Sequence, residues 1–202
     1  MKHGPVPPEL DATADQLERL TTYLSLLQKW QARINLVGAG TLTDAWRRHI
    51  LDSAQLRRYL PDGSPIIADL GSGAGFPGLV LAILGAGRVH LIESDGRKAA
   101  FLNEARRITE APATVHPVRI ESYTGPVADV VVSRALAPLD ALLGHAETAL
   151  KPGGKALFLK GRQWQDELTA ARGAWHIEAT HHPSLADPAG VVLDIDAFNR
   201  PA

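Results

Sequence analysis

Four glycines, Gly71, Gly73, Gly75 and Gly78, fall within eight positions, directly behind the apolar run Ile66-Ile67-Ala68 and the acid Asp69. A regular helix or strand does not tolerate that density, because each glycine adds backbone freedom that ordering must remove. The stretch is therefore a tight loop. The apolar run before it suits a short buried strand, and Leu79 to Leu84 after it suits the start of a helix. Strand, glycine turn and helix open a βαβ unit, which commits the downstream chain to a layered sheet.

The rest of the chain keeps that rhythm. Beyond Ser64, expected strands at Ile66–Leu70, Arg88–Glu93, Thr114–Val118, Ala128–Ser133, Lys155–Lys160, Trp175–Thr180 and Val191–Asp196 alternate with expected helices at Gly78–Leu84, Arg97–Thr109, Leu139–Leu150 and Trp164–Arg172. Such alternation implies right-handed crossovers and a doubly wound, mostly parallel, seven-stranded α/β sheet covered on both faces. Only "HHPSLADPAG" separates the last two strands, so that pair is expected to be antiparallel. Ahead of the sheet, Leu17, Leu20, Leu24 and Leu27 recur at helical spacing within a helix expected from Asp11 to Leu36, capped by Thr13 or Asp15. A second helix is expected from Thr43 to Tyr59, before the turn Pro61-Asp62-Gly63. The chain thus divides into a helical extension, residues 1–63, and a Rossmann-like core, residues 64–202.

With 202 residues, 45% of them hydrophobic, the chain can fill one sizeable core. It has no cysteine, which excludes disulfides, thiolate zinc sites and a thiol nucleophile. No H-E-x-x-H or carboxylate cluster suggests a metal. The longest strongly apolar run, Leu79 to Leu84, is far short of the roughly 20 residues that a spanning helix needs. "MKHGPVPPEL" also lacks the apolar core of a signal peptide. A cytoplasmic protein with no membrane partner is expected. A net charge of −1 gives no global field for nucleic acid, so such a partner must meet a local basic patch.

The glycine loop reads two ways. Gly73 to Gly78 matches G-x-G-x-x-G, and Glu93 stands 20 residues after Gly73, where a dinucleotide fold puts its ribose-binding acid. Asp69, Gly71, Gly73 and Gly75 also match D-x-G-x-G-x-G. Charge separates the two. A nicotinamide dinucleotide brings a pyrophosphate to this turn, which an acid at its mouth repels. S-adenosylmethionine brings an ammonium and a sulfonium, which Asp69 suits. Both carry a ribose for Glu93. S-adenosylmethionine is the favoured cofactor, with a nicotinamide-dependent oxidoreductase as the alternative.

"HILDS" (49–53), "DLGSGAGFPG" (69–78), "LIES" (91–94), "KAAFL" (98–102), "SRALAPL" (133–139), "LKPGG" (150–154) and "LKG" (159–161) resemble the bacterial 16S ribosomal RNA guanine-N7 methyltransferases, also called glucose-inhibited division protein B. The resemblance runs from about Leu24 to Asp196. It implies a class I S-adenosylmethionine-dependent methyltransferase acting on a guanine of the decoding-region loop, whose loss is associated with streptomycin resistance. It also implies cofactor contacts at Gly71, Phe76, Glu93, Ile120, Glu121 and Arg134, the last at the reactive end.

The chemistry agrees with that target. The fourth strand ends in Ser133-Arg134-Ala135-Leu136, where exocyclic-amine methylation commonly uses Asn/Asp-Pro-Pro-aromatic. N7 of guanine has an in-plane lone pair and no proton to lose, so positioning is the main demand. Arg134, at the tip of an apolar strand, is the candidate catalytic residue. Lys29, Arg33, Arg47, Arg48, Arg57 and Arg58 face only Asp44 and Asp52 between residues 29 and 58, a local patch suited to RNA phosphates. Asn35 and His49 join that candidate RNA surface, with Asp52 as the alternative partner that orients His49. Lys160 and Arg162 are candidates for the nucleotide's phosphate. The expected partner is 16S RNA or the small ribosomal subunit, met by a monomer. The remaining alternative is a non-catalytic ribosome-binding protein.

Overall fold

A computed structural model describes residues 3–201. Its single seven-stranded sheet has the order β3-β2-β1-β4-β5-β7-β6. The strands are β1 (Ile66–Leu70), β2 (Arg88–Ile92), β3 (Ala113–His116), β4 (Ala128–Arg134), β5 (Leu150–Lys160), β6 (His176–Pro183) and β7 (Val191–Asn199). The first five run parallel. β7 turns back from β6 and inserts antiparallel between β5 and β6. The expected antiparallel pair is therefore present, with β6 at the edge.

Alternating side chains split the core into two layers. On one face Val130, Val132 and Leu157 pack with α1 (Ala14–Gln31), α3 (Gly78–Ile83) and α4 (Gly96–Ile108). On the other Val131, Ala156 and Phe158 pack with α5 (Leu139–Ala149) and α6 (Trp164–Ala171). Helices on both faces explain why β1 reads as an almost unbroken apolar run. Tyr23 and Leu24 of α1 belong to the same apolar cluster as Phe76, Leu79 and Phe101, so the leading helix is built into the sheet's own core.

The leading helix is shorter than its periodicity suggests. Thr13 and Gln16 form a reciprocal capping box at its start. At its end the Gln31 side chain folds back and accepts the N–H groups of Leu36 and Val37, which stops the helix at residue 31. The expected second helix is a broken rod. It comprises a 3-10 turn (Ala39–Asp44), a π-turn (Trp46–Leu51), one α-turn, α2 (Asp52–Ala54), and a second 3-10 turn (Gln55–Tyr59). Within the π-turn the Arg48 carbonyl accepts Arg134 Nη1, and Ser53 back-bonds to the carbonyl of His49. Such side-chain intrusions favour π-turns, which cluster at functional sites. Among the described residues no helix is long and apolar enough to cross a membrane. No group of three or more His, Cys, Asp or Glu among them is placed to hold a metal ion.

Candidate functional site

The strand order reverses between β1 and β4, and sheets of this kind bind ligands outside the carboxyl ends of their strands at that point. A cleft of about 1250 Å³ opens there. The glycine loop, the tips of β2 and β4, the turn at Ile120–Ser122, the broken rod and the β6–β7 loop all line it.

The glycine loop is held from below. Gly71, Gly73 and Gly75 have φ of +66°, +57° and +92°, a region that side chains disfavour. The Tyr23 hydroxyl of α1 donates to the Ala74 carbonyl. Gly71 and Gly73 line the cleft, whereas Gly75 faces away from it, with the place of a Cβ lying 2.9 Å from Leu79 Cβ. Gly75 therefore shapes the loop and does not border the ligand space.

Asp69 corrects the sequence reading more sharply. Its side chain is fully buried beneath the loop, where Oδ2 accepts the Gly78 N–H at 3.1 Å. It does not line the cleft, and Oδ1 has no partner among the described residues. Burial raises its pKa to about 7, so near neutrality it carries only part of a charge. The carboxylate is a brace between β1 and α3 and, contrary to the expectation from the sequence, presents no charge to the cleft at the strand tip. A consequence is measurable. The folded value lies above the unfolded 3.8, so the contribution of Asp69 to stability is full below about pH 4 and is lost as pH rises to about 7. Between those limits the denaturation midpoint of wild type is expected to fall relative to that of Asp69→Asn. Parallel curves would show that Asp69 ionises normally.

Glu93 is placed as the sequence suggests. It directly follows β2, is 7% exposed and lines the cleft. Its Oε2 accepts the Gly73 N–H at 2.8 Å and its Oε1 accepts the Asp95 N–H at 2.7 Å. Each oxygen keeps a second lone pair, which suits a vicinal diol. Ile120 and Glu121 stand across the cleft with Val118, giving a part-apolar slot. Glu121 is mostly exposed, 3.9 Å from His145.

Arg134 lies at the tip of β4. Its Nη1 donates to the Arg48 carbonyl at 3.0 Å and to Asp52 Oδ2 at 3.1 Å, and its Nη2 donates to His49 Nδ1 at 3.2 Å. The guanidinium carbon sits 4.8 Å from the centre of the Phe76 ring. His49 stacks on the same ring at 4.8 Å and 19°. Ala135, next along, has φ +52°, a strained conformation for a residue with a side chain.

The candidate RNA residues separate. Lys29, Arg33, Asn35, Arg48 and Arg162 are exposed, and of these Arg48 lines the cleft. His49 is buried within the cleft wall, so it does not offer a face to RNA. Arg47 is occupied by the Leu185 carbonyl at 2.9 Å and by Glu9. Lys160 is also occupied: its 7% exposed side chain donates to Glu167 at 2.6 Å and to the Ala137 carbonyl. A buried, paired ammonium is not available to a phosphate. Sequence reasoning missed Lys98 and Arg119, which both line the cleft. It also missed Gln55, whose amide donates to Asp52 and Ser184 while its oxygen accepts the Leu185 N–H. Nothing in spacing alone ties residue 55 to residue 185.

The profile of a family described as rRNA small subunit methyltransferase G matches residues 16–188. A relative named ribosomal RNA small subunit methyltransferase G from Paramagnetospirillum magneticum is 57% identical over 186 residues, spanning 92% of this chain and 91% of that one. Its namesake from Rhodospirillum centenum is 58% identical over 179 residues, spanning 89% and 83%. Among solved structures, M. jannaschii TYW2 in complex with AdoMet aligns with a TM-score of 0.58 at 16% identity, over 84% of this chain and 80% of that one. A ribosomal protein L11 methylase from Lactobacillus delbrueckii subsp. bulgaricus aligns at 0.59 and 15%, over 74% and 77%. At those identities the likeness is one of fold, shared with class I methyltransferases.

Proposed function

The chain belongs to the rRNA small subunit methyltransferase G family, whose members methylate 16S ribosomal RNA with S-adenosylmethionine, and on that premise we propose that its target atom is N7 of a guanine in the decoding-region loop. S-adenosylmethionine supplies an activated methyl on a sulfonium. The residues present fit it. Glu93 suits the ribose diol, Ile120 and Val118 suit the adenine, and the backbone at Gly71 and Gly73 leaves room for close approach. The cofactor assignment rests on the family and on this cradle, not on Asp69.

The observation that supports N7 is that the two titratable side chains bonded to Arg134, Asp52 and His49, are already engaged. Asp52 Oδ2 is taken by Arg134 and its Oδ1 by Gln55, and the acceptor nitrogen of His49 is taken by Arg134. An exocyclic amine must lose a proton on methylation, and a free base beside Arg134 would help to take it. N7 loses none. Arg134 keeps Nε–H and one Nη2–H without partners among the described residues, and these are donors suited to guanine O6. The nicotinamide and binding-only readings find no comparable support.

The test is borohydride–aniline cleavage of 16S RNA after incubation with protein and S-adenosylmethionine, using naked RNA and small subunits in parallel. Cleavage at one guanine in the decoding-region loop is expected. Methylation at an amino group, with no cleavage, removes the proposal. We further assign the N-terminal extension, residues 1–63, as the RNA-facing part of a cytoplasmic monomer. Arg48 is its cleft-side cation. Arg48→Ala is expected to weaken RNA binding and to reduce the slope of log K against log salt by about one. Arg47→Ala, which breaks internal contacts, is expected to lower stability and leave that slope unchanged.

A further inference from the structure

We propose that His49 is a positioning residue for methyl transfer: as a neutral imidazole it accepts a hydrogen bond from Arg134 and sets where that guanidinium stands beside the glycine loop. The proposal rests on the methyl-transfer reading above.

Arginine has no acceptor, so the Nδ1 of His49 that meets Arg134 Nη2 at 3.2 Å must be unprotonated. The ring proton is then on Nε2, which donates to Thr41 Oγ1 at 2.7 Å, while the Thr41 hydroxyl donates to the Gly38 carbonyl at 2.6 Å. One tautomer satisfies every group in this chain. The other tautomer, and the imidazolium, would each point a proton at the guanidinium. Burial, with Arg134 and Arg48 close by, pushes the His49 pKa down to about 3, so the acceptor persists at neutral pH.

Geometry gives that acceptor a purpose. Arg134 and His49 share the Phe76 ring, and Phe76 is part of the glycine loop itself. Asp52 takes Nη1 on the other side, and Gln55 steadies Asp52. The guanidinium is thus fixed relative to the loop by His49, Asp52 and the Phe76 ring. Bound geometry is costly to lose, because a displacement of about 1 Å can lower a rate by about a hundredfold.

A structural role and a positioning role make different predictions. His49→Phe keeps a ring against Phe76 but removes the acceptor. It is expected to lower kcat on 16S RNA about a hundredfold, with cofactor Kd, RNA KM and Tm little changed. His49→Asn places a carbonyl oxygen near the position of Nδ1 and is expected to recover most of that loss. In an Arg134→Lys background, His49→Phe is expected to add nothing, since the two changes remove the same interaction. Full additivity in the double variant overturns the proposal. So does His49→Asn if it is as slow as His49→Phe. Wild type is assayed first: absence of N7-methylguanine there removes the methyl-transfer reading itself, a failure distinct from loss in the variants alone.

Discussion

Arg134→Ala is expected to lower kcat by about 10²- to 10³-fold, the loss typical when a preorganised donor is removed from a reacting centre, or about 2.7–4 kcal/mol. The same change also strips Asp52 of its partner. Both side chains are mostly buried, at 18% and 16% exposure, and burial already raises the Asp52 pKa against the pull of Arg134. Breaking a buried pair costs about 3–5 kcal/mol in comparable cases. The alanine variant is therefore expected to be less stable as well as slow, and alone it does not separate the two effects. Arg134→Lys does. An ammonium keeps the charge opposite Asp52, but it cannot serve the Arg48 carbonyl, Asp52 and His49 with the fixed fork of a guanidinium. The expected result is a Tm near that of wild type with kcat reduced at least about a hundredfold, as for His49→Phe. Single-turnover methylation with labelled S-adenosylmethionine measures it. A lysine variant with full activity would show that Arg134 serves the fold alone.

The second large effect separates two glycines of one loop. At Gly78 a Cβ would stand 2.6 Å from Asp69 Oδ2 and 2.7 Å from Leu91 Cδ2. Both neighbours are fully buried, so neither can give way. Gly78→Ala is expected to cost about 3 kcal/mol, roughly 6–12 °C in Tm for a chain of this size. Gly73 differs. Its φ is +57°, but the nearest atom to a Cβ there is the Gly71 carbonyl at 3.8 Å. Gly73→Ala is expected to fold, at a strain of about 1–2 kcal/mol. Its methyl group then stands at the cleft, and the Kd for S-adenosylhomocysteine should rise at least about tenfold, or 1.4 kcal/mol. Thermal unfolding with and without that ligand reads both quantities. If Gly73→Ala binds normally, the loop's cleft side is not the cofactor cradle. If Gly78→Ala unfolds at the wild-type temperature, the brace beneath the loop is looser than its contacts indicate.

Local pattern carried much of this architecture. Ile66–Leu70 is a strand in both sequence and structure, because five residues bounded by turns and buried on both faces leave few other options. Gly96–Ile108 begins within one residue of its expected start, since Asp95 caps it through the N–H groups of Arg97 and Lys98. The rod at 39–59 went the other way. Its apolar spacing suits an α-helix, yet it runs through π and 3-10 turns, and Arg134, 75 or more residues downstream, bonds to its Arg48 carbonyl. The site divides in the same manner. Glu93 was legible because its spacing from the glycine loop is fixed by one βα turn and one strand. Lys160 was not, since its partner Glu167 lies on the following helix and only their packing shows that the charge is already matched.

The sequence alone determined the alternation of strands and helices, the glycine loop at the strand tips, and the family, because these depend on short-range pattern and on residue identity. Tertiary structure alone decided which way the side chains at that loop face. Asp69 turned under the loop to meet Gly78, and His49, Arg134 and Asp52 closed on one another around Phe76. The physical reason is that burial and pairing set a charged group's state, and both depend on atoms brought from distant parts of the chain.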